Sequence, residues 1–492
     1  MAIRISGMNS GMDTDAMVQD LVNVYKKKGE KNVKNKTKLE WKQTIWGDLN
    51  KKIKKFQSKI NNMKYSSSYN LKKTTSSDEN KATVVASGNA VKGTQTLEVT
   101  QLAKTAYVTS GKLTATDGTK LTADSTLADL GVTSNGKIKV NNVEFDVNTD
   151  TKISDVVANL KEAGLDASFD EGNGRFFISA KESGASNNFE FEAVGEDNGA
   201  IAALKLTSDS GASVIEGQNA KVLLNGAEFE SNTNSFSING LAINVKGLTD
   251  ENSPITLTTD TDTDAIYNNV KGLIKEYSEL IKELDKLYNA DSAGKYEPLT
   301  DEEKDALSDS EVEKWETKIK DSLLRRDSNV SSVANVMKTT MLGSYTINGK
   351  NYSLSDFGIN TAGYFDSGEN EKNVLHIAGD EDDESVSGQT NKLKNMIIAD
   401  PDAVTGFFTS LLNDMSDKFN ELSRSTSTRS YGNFFDDKKV TADLKSWESK
   451  IAKWDDYVAD IEDKYYKQFS KMETQLAKLN STQTSLAGYF GG

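Results

Sequence analysis

The 492 residues include no cysteine, one histidine and three prolines. Without cysteine there is no disulfide, no thiolate nucleophile and no cysteine-ligated zinc or iron–sulfur centre. With His376 alone, a Ser–His–Asp triad or a multi-histidine metal site would rest on one residue. In NVLHIAG that histidine alternates with apolar neighbours as a strand residue does. No run approaches the 18 apolar residues of a membrane span. The N-terminus has Arg4 but no apolar segment of the kind that follows it in a Sec signal peptide. The expectation is no membrane insertion and no cleaved Sec signal, with export through a dedicated secretion machine left open.

What is present is polar and long. The length allows two to four domains, while the apolar fraction of 36% is low for an ordinary globular chain, which points to much solvated, elongated surface. The net charge of −15 conceals an asymmetry. Between Lys26 and Lys73 stand 16 lysines against Glu30, Glu40 and Asp48, so this stretch is strongly basic and the remainder strongly acidic. A basic arm can neutralise nucleic-acid phosphates. Here heptad spacing runs through the same lysines, which favours a helical arm whose cations are solvated or face acidic surface on neighbouring subunits, with no nucleic acid.

The opening ISGMNSGMDTDAMVQDLV, residues 5–22, resembles several ion sites and satisfies none. A phosphate loop needs glycine at position 12, then Lys and Ser or Thr, but Met12 is followed by Asp13. A calcium loop counted from Asp13 needs glycine and glutamate where Val18 and Val24 stand. The residues suit a helix start, with Asp13 or Thr14 as cap, acids near the positive end of the dipole, and Met17, Leu21 and Val24 on one apolar face.

Apolar spacing then organises the chain. Trp46, Leu49, Ile53, Phe56, Ile60 and Met63 follow steps of three and four, as in a coiled coil. Leu444, Trp447, Ile451, Trp454, Val458, Ile461, Tyr465, Phe469, Met472, Leu476 and Leu479 answer at the far end, with a stutter around Tyr465. A further stripe runs from Ile266 to Leu287, and capping-box pairs Thr300/Glu303 and Ser308/Glu311 precede Val312, Trp315, Ile319 and Leu323. Between Ser77 and about Thr261 the pattern turns to Val/Thr/Phe alternation broken by Gly, Asn and Asp. Residues 137–156 and 221–240 echo each other, each reading as a hairpin about Asn-Asn or Asn-Gly followed by further strand, and YTINGKNYSL reads as another hairpin.

The predicted fold class is α+β multidomain: terminal coiled-coil helices, a discontinuous helical bundle and inserted β-rich domains. The expected divisions are residues 1–40 with 450–492 as a helical leg, 41–76 with 262–449 as the bundle with a β-hairpin, 77–110 with 211–261 as one β domain, and 111–210 as a second inserted in it. The terminal stripes show no core of their own, so lateral partners are expected to cover them. No catalytic, metal-binding or cofactor-binding residue is assigned. The acidic run from Asp380 to Glu384 is expected to be a solvated loop, because a glycosidase needs two acids placed across a cleft.

Several of these segments together resemble one family. GMNSGMDTDAMVQDLV, VTQLAKTA at 99–106, PLTDEEKDALSDSEVEKWETKIKDSLLRRDSNV at 298–330, LSDFGINTAG, ADPDAVTGFF and TQLAKLNSTQTSLAGYF are similar, in order and spacing, to motifs of the flagellar filament cap, or hook-associated protein 2, family. The resemblance covers nearly the whole chain. It implies a non-enzymatic assembly factor, secreted without a cleaved Sec signal and located outside the cell at the distal tip of the bacterial flagellum. It implies a ring homo-oligomer, typically a pentamer, that promotes folding and insertion of exported flagellin. The partners implied are the chain itself, flagellin, the hook–filament junction protein, an export chaperone and the flagellar type III export apparatus. Absent cysteine and scarce proline suit a chain threaded unfolded, since disulfides block threading and proline isomerisation is slow. The residues expected to carry assembly are Met12, Met17, Leu21, Trp46, Leu49, Ile53, Phe56, Ile461, Tyr465, Phe469, Met472, Leu476, Leu479 and Leu486. The resemblance places the export-chaperone contact at Leu476, Leu479, Leu486, Tyr489 and Phe490. An adhesin binding host mucin or other glycans stays open as a second function, with Tyr107, Phe145, Phe176 and Phe177 serving equally as core or as a sugar platform.

Overall fold

The computed structural model describes residues 10–250, 253–363 and 366–490, with side chains described up to residue 487. The chain divides into two compact units, Asn70–Asp262 and the segments on either side of it. The architecture is α+β as expected, with long helices at both ends and a β-rich insertion.

The helical unit is built on Thr14–Met63, whose start is fixed by the Asp13 carboxylate accepting from the Ala16 N–H at 3.0 Å. Its second half lies in the core. Trp46, Leu49, Ile53, Phe56 and Ile60 are at most 2% exposed and pack with the buried faces of Thr263–Asn289 and Pro401–Leu422. The stripe from Ile266 to Leu284 is buried as its spacing predicts, while Leu287 is half-buried. Aromatic rings fill the centre: Phe56 meets Phe419 at 6.1 Å, Tyr69 stacks on Phe408 at 5.8 Å, and Phe357 meets Phe407 at 4.8 Å. Burial of apolar surface, at roughly 25 cal/mol per Å2, is the main favourable term in folding this unit. The remaining helices are Asp309–Ser322, Ser328–Met341, Lys392–Ala399 and Asp437–Phe490, with a short turn of helix at Asp301–Asp305. Both predicted capping boxes form: Glu303 and Glu311 accept from the Thr300 and Ser308 backbone N–H groups at 2.8 and 2.9 Å.

The β unit holds two hydrophobic clusters. In the first, a five-stranded sheet runs in the order Lys72–Ser76, Ile255–Thr261, Gly93–Gln101, Ala220–Leu224, Ala227–Ser231. A three-stranded sheet of Ser235–Ile238, Leu241–Val245 and Ala82–Ala86 shares its core of Leu97, Val222, Ile243 and Leu257. In the second, a four-stranded sheet orders Ser213–Ile215, Thr105–Thr109, Arg175–Ser183 and Leu165–Asp170. It shares a core with the helix Ile153–Glu162 and a small sheet of Val143–Val147, Gly136–Val140 and Glu192–Ala193.

Three segments differ from the sequence expectation. Lys72–Ser76, expected with the bundle, pairs with Ile255–Thr261 in the β unit. Thr105–Thr109 and Ser213–Ile215, expected in the first β domain, join the second sheet, because Ala106 and Val108 bury into its cluster. The two echoed segments do share a hairpin, with Asn141-Asn142 and Asn225-Gly226 at positive φ as type I′ turns require. After the first hairpin, however, the chain enters a helix, because Ile153, Val156 and Leu160 recur at helical spacing and are fully buried. Phe176 is core, fully buried, whereas Phe145 and Phe177 are half-buried.

Candidate assembly surface

The two terminal helices pair antiparallel. Phe435 stacks on Trp46 at 5.3 Å, Glu448 meets Lys36 at 3.5 Å, and the Trp454 indole N–H donates to the Tyr25 carbonyl at 3.0 Å. Further out, Ser10 donates to Glu473. The turn into the last helix is fixed by Asn50, whose side chain accepts from the Phe434 N–H at 2.9 Å and donates to Asn433 at 3.1 Å. Between these ties lies a small core of Val18, Val22 and Val458, flanked by Tyr25, Trp454, Tyr465, Tyr466 and Phe469. Gly29 is buried directly under the Trp454 ring. The hydrogen bond that the Tyr465 hydroxyl makes to Tyr25 favours its protonated form and, with partial desolvation, raises it above its ordinary pKa.

The first helix therefore carries two apolar stripes. Val18, Val22, Tyr25 and Gly29 face the last helix. Met17, Leu21 and Val24, each one residue earlier and so rotated by about 100°, are 43%, 40% and 55% exposed, and Met12 is 36% exposed. The sequence reading named the outward stripe as the first apolar face and missed the inward one. The signal was available, since both sets follow a four-then-three spacing one residue out of step. The last helix extends past Glu473 by residues 474–490, about 25 Å of helix. On that stretch Leu479 and Leu486 are 64% and 51% exposed.

Other expected assembly residues fall elsewhere. Trp46, Leu49, Ile53 and Phe56 are core of their own chain and offer no surface to a partner, a correction to the view that the N-terminal stripe lacks a private core. Ile461, Tyr465, Phe469, Met472 and Leu476 are half-buried. The side chains of Tyr489 and Phe490 lie outside the described residues. The lysine arm is also satisfied largely within the chain. Lys34, Lys42, Lys52 and Lys59 reach Glu303, Asp327, Glu283 and Glu276 at 2.8, 2.8, 2.7 and 3.8 Å, and Lys38 pairs with Glu297.

Among the described residues, nothing around His376 assembles a nucleophile. Its Nδ1 lies 2.6 Å from Asp383 and 3.4 Å from the Ser385 hydroxyl, so acid and hydroxyl crowd the same ring nitrogen, whereas a triad needs them on opposite ones. The acidic run is less solvated than expected. Asp380 is buried and, with Asp382, takes the Lys271 ammonium. Burial alone would lower the Lys271 pKa, but its bonds to Asp380 and Asp382 outweigh that and raise it. Among the described residues no group of three or more His, Asp or Glu side chains is placed to hold a metal ion, and no helix is long and apolar enough to cross a membrane.

Comparison with known proteins places these features in one context. Residues 217–481 match the family model "Flagellar hook-associated protein 2 C-terminus" and residues 10–106 the corresponding N-terminus model. A flagellar hook-associated protein 2 of Halalkalibacterium halodurans is 24% identical, over 99% of this chain and 100% of that one. An A-type flagellar hook-associated protein 2 of Pseudomonas aeruginosa is 30% identical over 56% of this chain and 62% of its own. In fold, the chain is similar to the D1-D2-D3 domains of the Escherichia coli flagellar cap protein, with a TM-score of 0.56 over 82% of this chain and 99% of that one at 19% identity.

Proposed function

The chain belongs to the flagellar hook-associated protein 2 family, and on that premise we propose that it caps the growing flagellar filament at its distal tip, outside the cell. Copies of the chain assemble as a ring and promote folding and insertion of flagellin delivered through the filament. The observation that carries this reading is the outward stripe Met17, Leu21 and Val24 together with the exposed Leu479 and Leu486 on the overhanging last helix. A helix pair that buries one apolar face internally and leaves a second open gains by docking on another helix, and the lattice contact offsets the ordering cost. The occupants of that face are a neighbouring copy, flagellin and, at the base, the hook–filament junction protein. Before export, Leu476, Leu479 and Leu486 are the contact for an export chaperone that delivers the chain to the flagellar type III apparatus.

Complementation of a cell lacking its cap tests the reading. The wild-type chain restores filament growth, and Leu21→Glu with Val24→Glu does not, although the variant is secreted and folds. Full growth with the charged face would overturn it. The aromatic residues that an adhesin would use give it no support, since Phe176 is fully buried and Tyr107, Phe145 and Phe177 are half-buried.

A further inference from the structure

We propose that residues 290–322 form a salt-sensitive strap that opens from the first helix while the surrounding helical unit stays folded. The segment leaves the unit after Asn289 and rejoins it at Asp327, whose carboxylate caps the helix Ser328–Met341. Over these residues only Pro298 and Ile319 are buried. By contrast, Pro401–Leu422 buries nine side chains in fewer positions. Sparse apolar burial marks a segment that opens locally at low free energy.

What holds the strap down is charge. Lys34, Lys38 and Lys42 recur every fourth residue, so they form a ladder along one face of the first helix. Lys34 pairs with Glu303 at 2.8 Å, Lys38 with Glu297, and Lys42 with Asp327 at the strap's far hinge at 2.8 Å. Lys320 returns the contact, its ammonium 4.7 Å from the Trp41 ring centre. Glu303 and Glu297 are each about half exposed, so these bonds are open to screening by salt.

The strap keeps its own shape when it lifts. Tyr296 and Trp315 meet edge to face at 4.6 Å, the Trp315 indole donates to the Glu297 carbonyl at 2.8 Å, and Lys318 sits 4.6 Å over the Tyr296 ring. Lys304 and Lys320 both reach Glu316, at 3.1 and 2.9 Å. A preformed body with a nearly polar underside is suited to detach and re-dock as a unit. The stretch it grips lies next to Lys36, which Glu448 ties to the last helix. Strap and last helix thus brace the same part of the first helix, just before it enters the bundle at Trp46.

Hydrogen exchange on the full chain in about 0.1 M and about 1 M NaCl tests this, since the screening length falls from about 10 Å to about 3 Å. Peptides within 296–322 are expected to exchange about tenfold faster at high salt, from the loss of several weak pairs, while peptides within 401–422 are unchanged. Lys38→Glu alone should raise exchange within 296–322 several-fold at low salt, and adding Glu297→Lys should restore closure. Because the chain has no other thiol, Lys38→Cys with Glu297→Cys joined by a short bismaleimide should abolish the salt response. Exchange within 296–322 that ignores salt and Lys38→Glu, or that rises only in step with 401–422, would overturn the proposal.

Discussion

Replacing Gly29 by alanine tests how the terminal helices are held together. A Cβ at this position would lie 2.4 Å from Trp454 Cδ1 and 2.6 Å from Nε1, where contacts of 3.4 Å or more are normal. The indole must retreat by about 1 Å, an overpacking strain of about 1–3 kcal/mol. The retreat also weakens the 3.0 Å bond from Nε1 to the Tyr25 carbonyl, a further loss of about 1 kcal/mol. Against this, alanine is a better helix former than glycine by about 1 kcal/mol. The net is about 1–3 kcal/mol against the paired state, which is roughly a ten- to hundredfold loss of protection. Hydrogen exchange is the assay: peptides covering 14–30 and 450–466 should lose protection while the bundle peptides 401–422 keep theirs. In a Trp454→Ala background the same glycine change should instead stabilise the pair, because the clash is gone and only the propensity gain remains. Equal effects in the two backgrounds would refute the claim that Gly29 exists to seat the indole.

Other outcomes follow from the same structure. Phe408→Ala, which empties a fully buried site stacked on Tyr69, should cost about 3–5 kcal/mol in denaturant unfolding. Lys52→Glu should lose no more than about 1 kcal/mol, since its pair with Glu283 is partly exposed, and Lys52→Glu with Glu283→Lys should recover the loss. The Glu303 carboxyl is held below its usual pKa first by the Lys34 ammonium and then by the Thr300 N–H. Carboxyls depressed in the folded state stabilise it fully above their unfolded values near about 4. That contribution is lost as pH falls through the lower folded values. Protection within 296–322, corrected for the intrinsic pH dependence of amide exchange, should thus be steady from pH 8 to about pH 5 and fall in acid before that of the bundle does, whereas a change confined to neutral pH would contradict the assignment.

Much of the fold could be read from spacing alone. The helix of Ile266 to Leu284, the capping boxes at Thr300 and Ser308, and the Asn348-Gly349 hairpin are local patterns whose physics needs no distant partner. What spacing does not encode is which face meets what. The stripe from Trp46 to Phe56 has the same period whether it packs on its own chain or on a neighbour, and only the fold brings Phe419 and Tyr277 against it. The lysine arm was opaque for the same reason, since Glu303, Asp327 and Glu283 stand more than 200 positions away. The helix at Ile153 is masked in the sequence by the echo with residues 221–240, which favours strand, and burial of Val156 and Leu160 decides for helix.

The most direct test of the account is the mass of the full chain in solution, by light scattering, beside Leu21→Glu with Val24→Glu and Leu479→Glu with Leu486→Glu. The account predicts a ring-sized oligomer for the wild type and monomer for both charged variants, each with unchanged circular dichroism. Wild-type-sized oligomers in both variants would show that the outward faces of the terminal helices do not carry assembly.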